Sequence, residues 1–162
     1  MEIRIVIADY LDNKQAREIS HLLNCYATDP MGGGQALDES VRTNLAEKLA
    51  QIPNAFSILG YVNHQAAGLI NCFEGFSTFK CQPLINIHDV FVITQYRGLG
   101  LSQKMLSKVE EIAQERGCCK LTLEVLEGNS GAQRAYKKFG FSGYELDPGV
   151  GQALFWQKPI GC

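Results

Sequence analysis

The fold is decided by a short connection near the middle of the chain, Tyr96-Arg97-Gly98-Leu99-Gly100-Leu101-Ser102. The run before it, residues 84–93, is rich in Ile, Val and Phe and predicts a mostly buried strand. The segment after it, residues 101–116, has apolar residues at helical spacing, and residues 120–126 predict another strand. We therefore expect a right-handed parallel strand-helix-strand unit.

The connection also has the chemistry of an anion site. A helix that begins at Leu101 leaves its first backbone N–H groups without intrahelical partners, and these donors suit a pyrophosphate. Gly98 and Gly100 let the backbone approach the phosphates closely, and Arg97 adds a positive charge. Two glycines also occur in ordinary tight turns, so the motif by itself leaves both interpretations open.

Further elements extend outward from this unit. A strand is predicted at 2–8, helices at 12–27 and 38–52, and strands at 56–62 and 67–76, with a mobile Gly-rich loop at 29–38. A helix capped by Asn129 and closed by Gly140 follows, then two strands at 141–146 and 151–158. The order β-α-α-β-β-β-α-β-α-β-β predicts a mixed α/β sheet fold, and the length favours one domain covering residues 1–162.

Composition excludes several classes of function. The 15 basic and 17 acidic residues give a net charge of -2, so we expect no nucleic-acid partner. No run approaches the roughly 18 apolar residues of a membrane span, and residues 1–14 lack the pattern of a signal peptide, so we expect no membrane association and a cytoplasmic protein. The six cysteines form no C-x-x-C pair, so no metal is expected.

Two other phosphate motifs fit poorly. The P-loop pattern G-x-x-x-x-G-K-[ST] is absent, and Gln103 stands where the dinucleotide fingerprint G-x-G-x-x-G needs its third glycine. A nicotinamide-dependent oxidoreductase is thereby disfavoured.

Two spaced motifs carry a resemblance to a known family. Gln95-Tyr96-Arg97-Gly98-Leu99-Gly100 matches the pattern [QR]-x-x-G-x-[GA], and a second signature follows at Asn129, Ala132, Tyr136 and Gly140-Phe141. The chain thus resembles the GNAT superfamily of N-acetyltransferases, which implies the GNAT acyltransferase fold and acetyl-coenzyme A as co-substrate. The stretches 87–92 and 29–34 resemble its polyamine and histone-type branch.

The resemblance implies a set of site residues. Tyr136 corresponds to the family's general acid, although a phenol with a pKa of about 10 is a poor proton donor to a thiolate near 8.5, so a hydrogen bond to the developing charge is favoured. The implied cofactor-binding residues are Val90, Phe91, Val92, Arg97, Gly98, Leu99, Gly100, Leu101, Ser102, Asn129, Ala132 and Tyr136.

The acceptor amine needs a group that removes its proton. A lysine-like amine with a pKa of about 10.4 is neutral in roughly one molecule per thousand at physiological pH, which costs about 4 kcal/mol. His88, on the strand that enters the loop, is the candidate base, directly or through water. A strand histidine that only forms a hydrogen bond to a neighbour is the alternative for His88. The strand period of two places Asp89 on the opposite face, where a structural role is the alternative. Glu124 is a second candidate substrate contact for a cationic amine.

The predicted function is therefore acetyl-CoA-dependent N-acetylation of a primary amine, with a small amine or polyamine favoured, by direct attack on the thioester. A non-catalytic acyl-CoA sensor and acetylation of a protein lysine or N-terminus remain as alternatives. The apolar end of the last predicted strand, Leu154-Phe155-Trp156, favours a homodimer.

Overall fold

A computed structural model describes residues 1–144 and 146–161 of the chain. The strands are β1 Ile3–Ile7, β2 Ala55–Val62, β3 Gln65–Ser77, β4 Gln82–Val92 and β5 Leu121–Leu123. The helices are α1 Asn13–Thr28, α2 Glu39–Ala50, α3 Leu101–Glu115 and α4 Ser130–Phe139, with single 3-10 turns at Pro30–Gly32 and Thr94–Tyr96. None of the helices in the described ranges is long and apolar enough to span a bilayer.

The strands form one sheet in the order β1-β2-β3-β4-β5. Neighbouring strands are antiparallel except β4 and β5, which pair in parallel over Ile85 to Ile87 and Leu121 to Leu123. Helix α3 connects these two parallel strands. The predicted strand-helix-strand unit and the mixed α/β fold class are confirmed.

Each face of the sheet buries its own apolar cluster. On one face Ile58, Ile70, Ile85 and Ile87 pack with the buried side of α3, and α4 adds Tyr136 and Phe139. On the other face Leu59 and Leu69 pack with Ile19 and Leu22 of α1. We call these the α3 face and the α1 face. Because side chains alternate along a strand, adjacent residues supply the two clusters in turn.

A pair of glycines holds α3 close to the sheet. Gly60 and Gly68 are register partners on β2 and β3. A Cβ at Gly60 would lie 2.9 Å from both Leu101 Cδ1 and Met105 Sδ, and one at Gly68 would lie 2.6 Å from Met105 Cε. The first turn of α3 therefore rests directly on the backbone of the central strands, which sets the position of the helix N-terminus.

A β-bulge in β4 changes which residues face which side. Asn71 pairs with Asp89, whereas the next residue on β3, Cys72, pairs with Ile87, so His88 has no partner of its own. Before the bulge Ile85 and Ile87 lie on the α3 face, and after it Val90 and Val92 pack there. Asp89 therefore lies on the α1 face together with His88. The expectation that the two point to opposite faces was wrong, because the extra residue interrupts the period of two.

The two strands expected after α4 are absent from the described residues. Residues 141–144 and 146–161 have no strand conformation, and the residue between the two ranges lies outside the description. One backbone hydrogen bond, from Ala153 N to Tyr144 O at 3.2 Å, connects the two segments. Their β-rich composition predicted strands, but a strand also needs a neighbour to complete its hydrogen-bond ladder.

Candidate active site

An open cleft of about 2530 Å³ runs between the C-terminal half of β4, the start of α3 and helix α4, and continues to α1. Its wall includes the catalytic candidates His88 and Tyr136 and the substrate candidate Glu124. The implied cofactor-binding residues that also line it are Val90, Phe91, Val92, Arg97, Gly98, Gly100, Leu101, Ser102, Asn129 and Ala132. Leu99 is exposed and is not part of the wall.

The phosphate-loop geometry fits a diphosphate. Gly98 and Gly100 have φ angles of 79° and 78°, which L side chains rarely adopt, and no atom lies within 4 Å of the position a Cβ would take at either residue. Gly100 is the N-cap of α3 and supplies no side chain to the helix end. The N–H groups of Leu101, Ser102 and Gln103 precede the first intrahelical donor, Lys104, and are left for an anion.

Arg97 connects the phosphate loop to the segment that follows α1. Its Nε donates to Val92 O at 2.9 Å, and Nη2 lies 3.4 Å from Asp29 Oδ2. Its guanidinium carbon is 5.8 Å from the centre of the Phe91 ring. Asp29 in turn accepts from Met31 N and caps the 3-10 turn. The guanidinium of this loop residue is thus held against the end of β4 and the segment that follows α1.

The strand edge beside the loop has free backbone groups. β4 and β5 pair only as far as Ile87 and Leu123, so the two strands separate beyond that point. From His88 to Val92 the β5 side of β4 has no neighbouring strand among the described residues. An extended ligand segment can add to such an edge by backbone hydrogen bonds.

Tyr136 lies on the α4 wall of the cleft. Asn129 Oδ1 accepts from Ala132 N at 3.1 Å and caps α4, and Gly140 closes the helix with φ 115°, as predicted. The Tyr136 ring packs edge-on against Phe141, with 5.9 Å between ring centres. Burial, with a smaller contribution from Tyr26, raises the pKa of Tyr136 to about 12. The hydroxyl is therefore protonated at every physiological pH.

The structure brings His88 and Asp89 together with residues that sequence reasoning missed. His88 is exposed on the cleft wall and contacts Phe73 edge-on at 5.6 Å. Asp89 Oδ2 accepts from Asn71 Nδ2 at 3.0 Å. Tyr26 of α1 stacks on Phe91 with 5.6 Å between ring centres. No local motif marks Asn71, Phe73 or Tyr26, since their roles come from strand register and helix packing.

The side of the cleft next to α1 is acidic and partly apolar. Burial first, and then the charges of Asp89 and Asp29, raise the pKa of Tyr26. Both carboxylates therefore act on the same region, and the exposed Glu124 lies just beyond β5. Apolar side chains from α1, the following loop and α2 complete this side: Leu23, Met31, Leu37, Leu45 and Leu49.

The fold and cleft are those of an α/β domain in which an unpaired helix N-terminus lies beside a free strand edge. The sequence profile of the Acetyltransferase (GNAT) family matches residues 17–141. The chain belongs to this family.

Relatives and solved structures agree with this assignment. The chain is 40% identical over 68 residues to the thialysine N-epsilon-acetyltransferase of Bos taurus, a match that covers 42% of this chain and 39% of that protein. The matched segment is thus well under half of the curated relative. A probable acetyltransferase superposes with a TM-score of 0.77 at 19% identity over 98% of both chains. AAC(6')-Iy, in complex with a CoA-S-monomethyl-acetylneamine bisubstrate analog, superposes with a TM-score of 0.76 at 15% identity, covering 99% of this chain and 100% of that one.

Proposed function

We propose that this protein transfers the acetyl group of acetyl-CoA to the primary amine of a small cationic acceptor by direct attack on the thioester. The observation that carries the proposal is that one cleft contains the unpaired N-terminus of α3, the unpaired edge of β4 and the side chain of Tyr136. Membership of the GNAT family supports acetyl-CoA as the donor.

The geometry supports a cofactor-binding role for each of these residues. The amides of Leu101 and Ser102 would hold the diphosphate, with the backbone of Gly98 and Gly100 beneath it and the Arg97 guanidinium beside it. The free edge of β4 at Val90 to Val92 would hold the pantetheine arm, with Phe91 anchoring that stretch against Tyr26. Asn129 and Ala132, at the start of α4, border the same arm.

Tyr136 would act as a hydrogen-bond donor to the sulfur of the leaving thiolate. A phenol whose pKa is about 12 lies about 3.5 units above a thiol near 8.5, so full proton transfer costs about 5 kcal/mol. A hydrogen bond that strengthens as charge develops on sulfur avoids this cost. The thiolate can then take its proton from solvent, because the cleft is open.

His88 is the proposed base for the acceptor amine. Its exposed imidazole stands on the cleft wall beside the β4 edge, where water can also reach it. Imidazole is in general a better proton acceptor than a carboxylate, and it can act directly or through one water molecule. Glu124, on the opposite wall, would contribute negative charge that attracts the protonated acceptor.

A small cationic amine is favoured over a protein lysine. Asp29, Asp89 and Glu124 line the cleft, and carboxylates attract ammonium groups. The names of the relatives refer to thialysine and to aminoglycosides, both small amines.

We also propose a homodimer, in which the exposed apolar side chains Leu154, Phe155 and Trp156 of one copy pack against a second copy.

Two measurements test the activity. Calorimetry with coenzyme A should detect binding, and thiol release from acetyl-CoA should depend on an amine drawn from thialysine, 1,4-diaminobutane and neamine. Binding without amine-dependent thiol release would favour the acyl-CoA sensor instead. No heat on titration of coenzyme A would refute the proposal altogether.

A further inference from the structure

A row of polar side chains crosses the α1 face of the sheet and ends at Asp89. Tyr10 Oη lies 2.7 Å from Ser57 Oγ, and Ser57 Oγ lies 2.6 Å from Asn71 Oδ1. Asn71 Nδ2 lies 3.0 Å from Asp89 Oδ2. Three of these residues sit side by side on β2, β3 and β4, since Ser57 pairs with Asn71 and Asn71 with Asp89. We call Tyr10, Ser57, Asn71 and Asp89 the cross-strand row.

The direction of every hydrogen bond in the row is determined. A carboxylate only accepts, so Asn71 must turn its amide nitrogen to Asp89 and its oxygen to Ser57. The Ser57 hydroxyl must then donate to that oxygen, which leaves its lone pair to accept from the Tyr10 hydroxyl. All donors thus point toward Asp89, and bonds aligned in this way polarise one another.

Burial makes the arrangement rigid. Ser57 has no solvent exposure and Asn71 has only 4%, so neither side chain can exchange its partner for water. A polar group buried in a sheet is costly unless it is paired, and here Ser57 and Asn71 are both paired within the row. Apolar side chains fill the neighbouring positions on the same strands, including Leu59 and Leu69.

Asp89 itself is left without a cation. In residues 1–144 and 146–161 it forms no ion pair, and its second oxygen, Oδ1, has no hydrogen-bond partner. Arg97, a cationic side chain that also lines the cleft, is engaged by Asp29 and Val92 O. Asp89 lines the cleft, where a ligand can reach it.

We infer that Asp89 binds the ammonium group of the acceptor, and that Tyr10, Ser57 and Asn71 are positioning residues that aim its free oxygen into the cleft. This inference rests on the proposed function and assigns within it the group that recognises a cationic amine. Binding and proton removal are then separate tasks: the carboxylate holds the ammonium, and His88, one residue away on the same face, takes the proton. The bulge in β4 is what places both side chains on that face.

The test is a kinetic comparison of variants, with the amine among thialysine, 1,4-diaminobutane and neamine that the wild type acetylates fastest. Asp89→Asn should raise KM for that amine about 10- to 100-fold, as for the loss of a charged hydrogen bond, while KM for acetyl-CoA is unchanged. Asn71→Leu and Ser57→Ala should raise the same KM about 3- to 10-fold by releasing the carboxylate from its position. Ser57→Thr, which keeps the hydroxyl, should restore most of the amine affinity.

Hydroxylamine, which is largely uncharged at neutral pH, gives a readout that a merely structural role would not produce. Its acetylation should be nearly unaffected in Asp89→Asn, because an uncharged nucleophile gains nothing from the carboxylate. Equal losses for hydroxylamine and for the cationic amine would overturn the inference.

Tyr10→Phe and Tyr61→Phe are a matched pair of variants, one inside the cross-strand row and one outside it. Tyr61 also donates a short hydrogen bond, 2.6 Å to Glu18 Oε2, on the same sheet face but outside the row. Tyr10→Phe should raise the amine KM by about 2- to 5-fold, and Tyr61→Phe should leave it unchanged. If Asn71→Leu does not fold, Tyr10→Phe and Tyr61→Phe still test the inference, because each of these variants removes only one oxygen atom and should fold. Equal amine KM values in the two variants would overturn the inference. A wild type without amine-dependent thiol release would instead overturn the proposed function.

Discussion

Single side chains set the charge states in the cleft. Burial of the Tyr136 side chain raises its pKa to about 12, so the hydroxyl stays protonated. Arg97 is held by Val92 O and Asp29, so its positive charge is fixed between the end of β4 and the segment that follows α1. Each of these properties depends on a neighbour from another element, although the residues themselves are recognisable in the sequence.

Tyr136→Phe should lower kcat at least tenfold and leave coenzyme A affinity nearly unchanged. In the proposed mechanism the hydroxyl stabilises charge on sulfur only as the thioester breaks, so its loss should affect the transition state rather than binding. Thiol release and coenzyme A calorimetry measure the two effects separately. Tyr61→Phe is the control and should behave as wild type. Unchanged turnover in Tyr136→Phe would remove this residue from the mechanism.

At the scale of elements, the position of α3 sets the position of the unpaired amides that are proposed to bind the diphosphate. The helix begins directly over Gly60 and Gly68, and Leu101 and Met105 contact the strand backbone there. Helix α4 is tied to it by Gln103 Nε2, which donates to Ala135 O at 2.9 Å. A displacement of α3 would therefore move both the amides that are proposed to bind phosphate and the helix that bears Tyr136.

Gly60→Ala should weaken coenzyme A binding although residue 60 lies beneath the helix. The added Cβ would meet Leu101 Cδ1 and Met105 Sδ at 2.9 Å, so these two buried side chains must repack beneath the first turn of α3, at a cost of about 1–3 kcal/mol of stability. Urea unfolding and calorimetry with coenzyme A measure the two consequences. Gly128→Ala is the matched control, because no atom lies within 4 Å of its added Cβ. A wild-type affinity of Gly60→Ala for coenzyme A would show that the contact of α3 with Gly60 does not control the site.

At the scale of the whole molecule, the distribution of buried phenols determines its response to alkali. Burial raises the pKa of Tyr10, Tyr26, Tyr61 and Tyr136. Each phenol ionises at lower pH in the unfolded chain than in the folded one, so the unfolded state binds fewer protons above about pH 10. The stabilisation is complete below that pH and is lost as the pH rises toward the folded values.

Alkaline unfolding should show the contribution of Tyr136. With an unfolded pKa near 10 and a folded value of about 12, this residue should account for about 1.4 kcal/mol of the stability lost between about pH 8 and pH 11. Urea unfolding at the two pH values measures the loss, and Tyr136→Phe should lose less by that amount. Equal losses of unfolding free energy in the variant and the wild type would contradict the burial of the Tyr136 phenol.

The C-terminal segment gives a test of assembly. Trp156 is the only tryptophan in the chain, and its side chain is 82% exposed, with Phe155 at 74%. If a second copy covers this segment, the tryptophan emission should shift to the red on dilution as the molar mass from light scattering falls. Phe155→Glu should weaken the dimer, whereas Phe79→Glu, at a residue 90% exposed outside the segment, should not. A monomer at micromolar concentration would refute the dimer.

The sequence by itself determined the features that depend on neighbouring residues. The β4-α3-β5 unit, the caps at Asn129 and Gly140 and the glycines of the phosphate loop were all predicted, because periodicity, capping and positive φ are local properties. The same reasoning predicted two strands after Phe139 that the structure lacks in residues 141–144 and 146–161. Apolar residues favour a strand, but only a neighbouring strand completes one.

Only the tertiary structure decided which side chains meet in the cleft. The bulge that turns His88 and Asp89 to one face, and the row that joins Asp89 to Asn71 and Ser57, depend on the register of strands distant in the chain. The packing of α3 on Gly60 also depends on this register. Register is fixed by the packing of both sheet faces at once, and no short stretch of sequence contains that information.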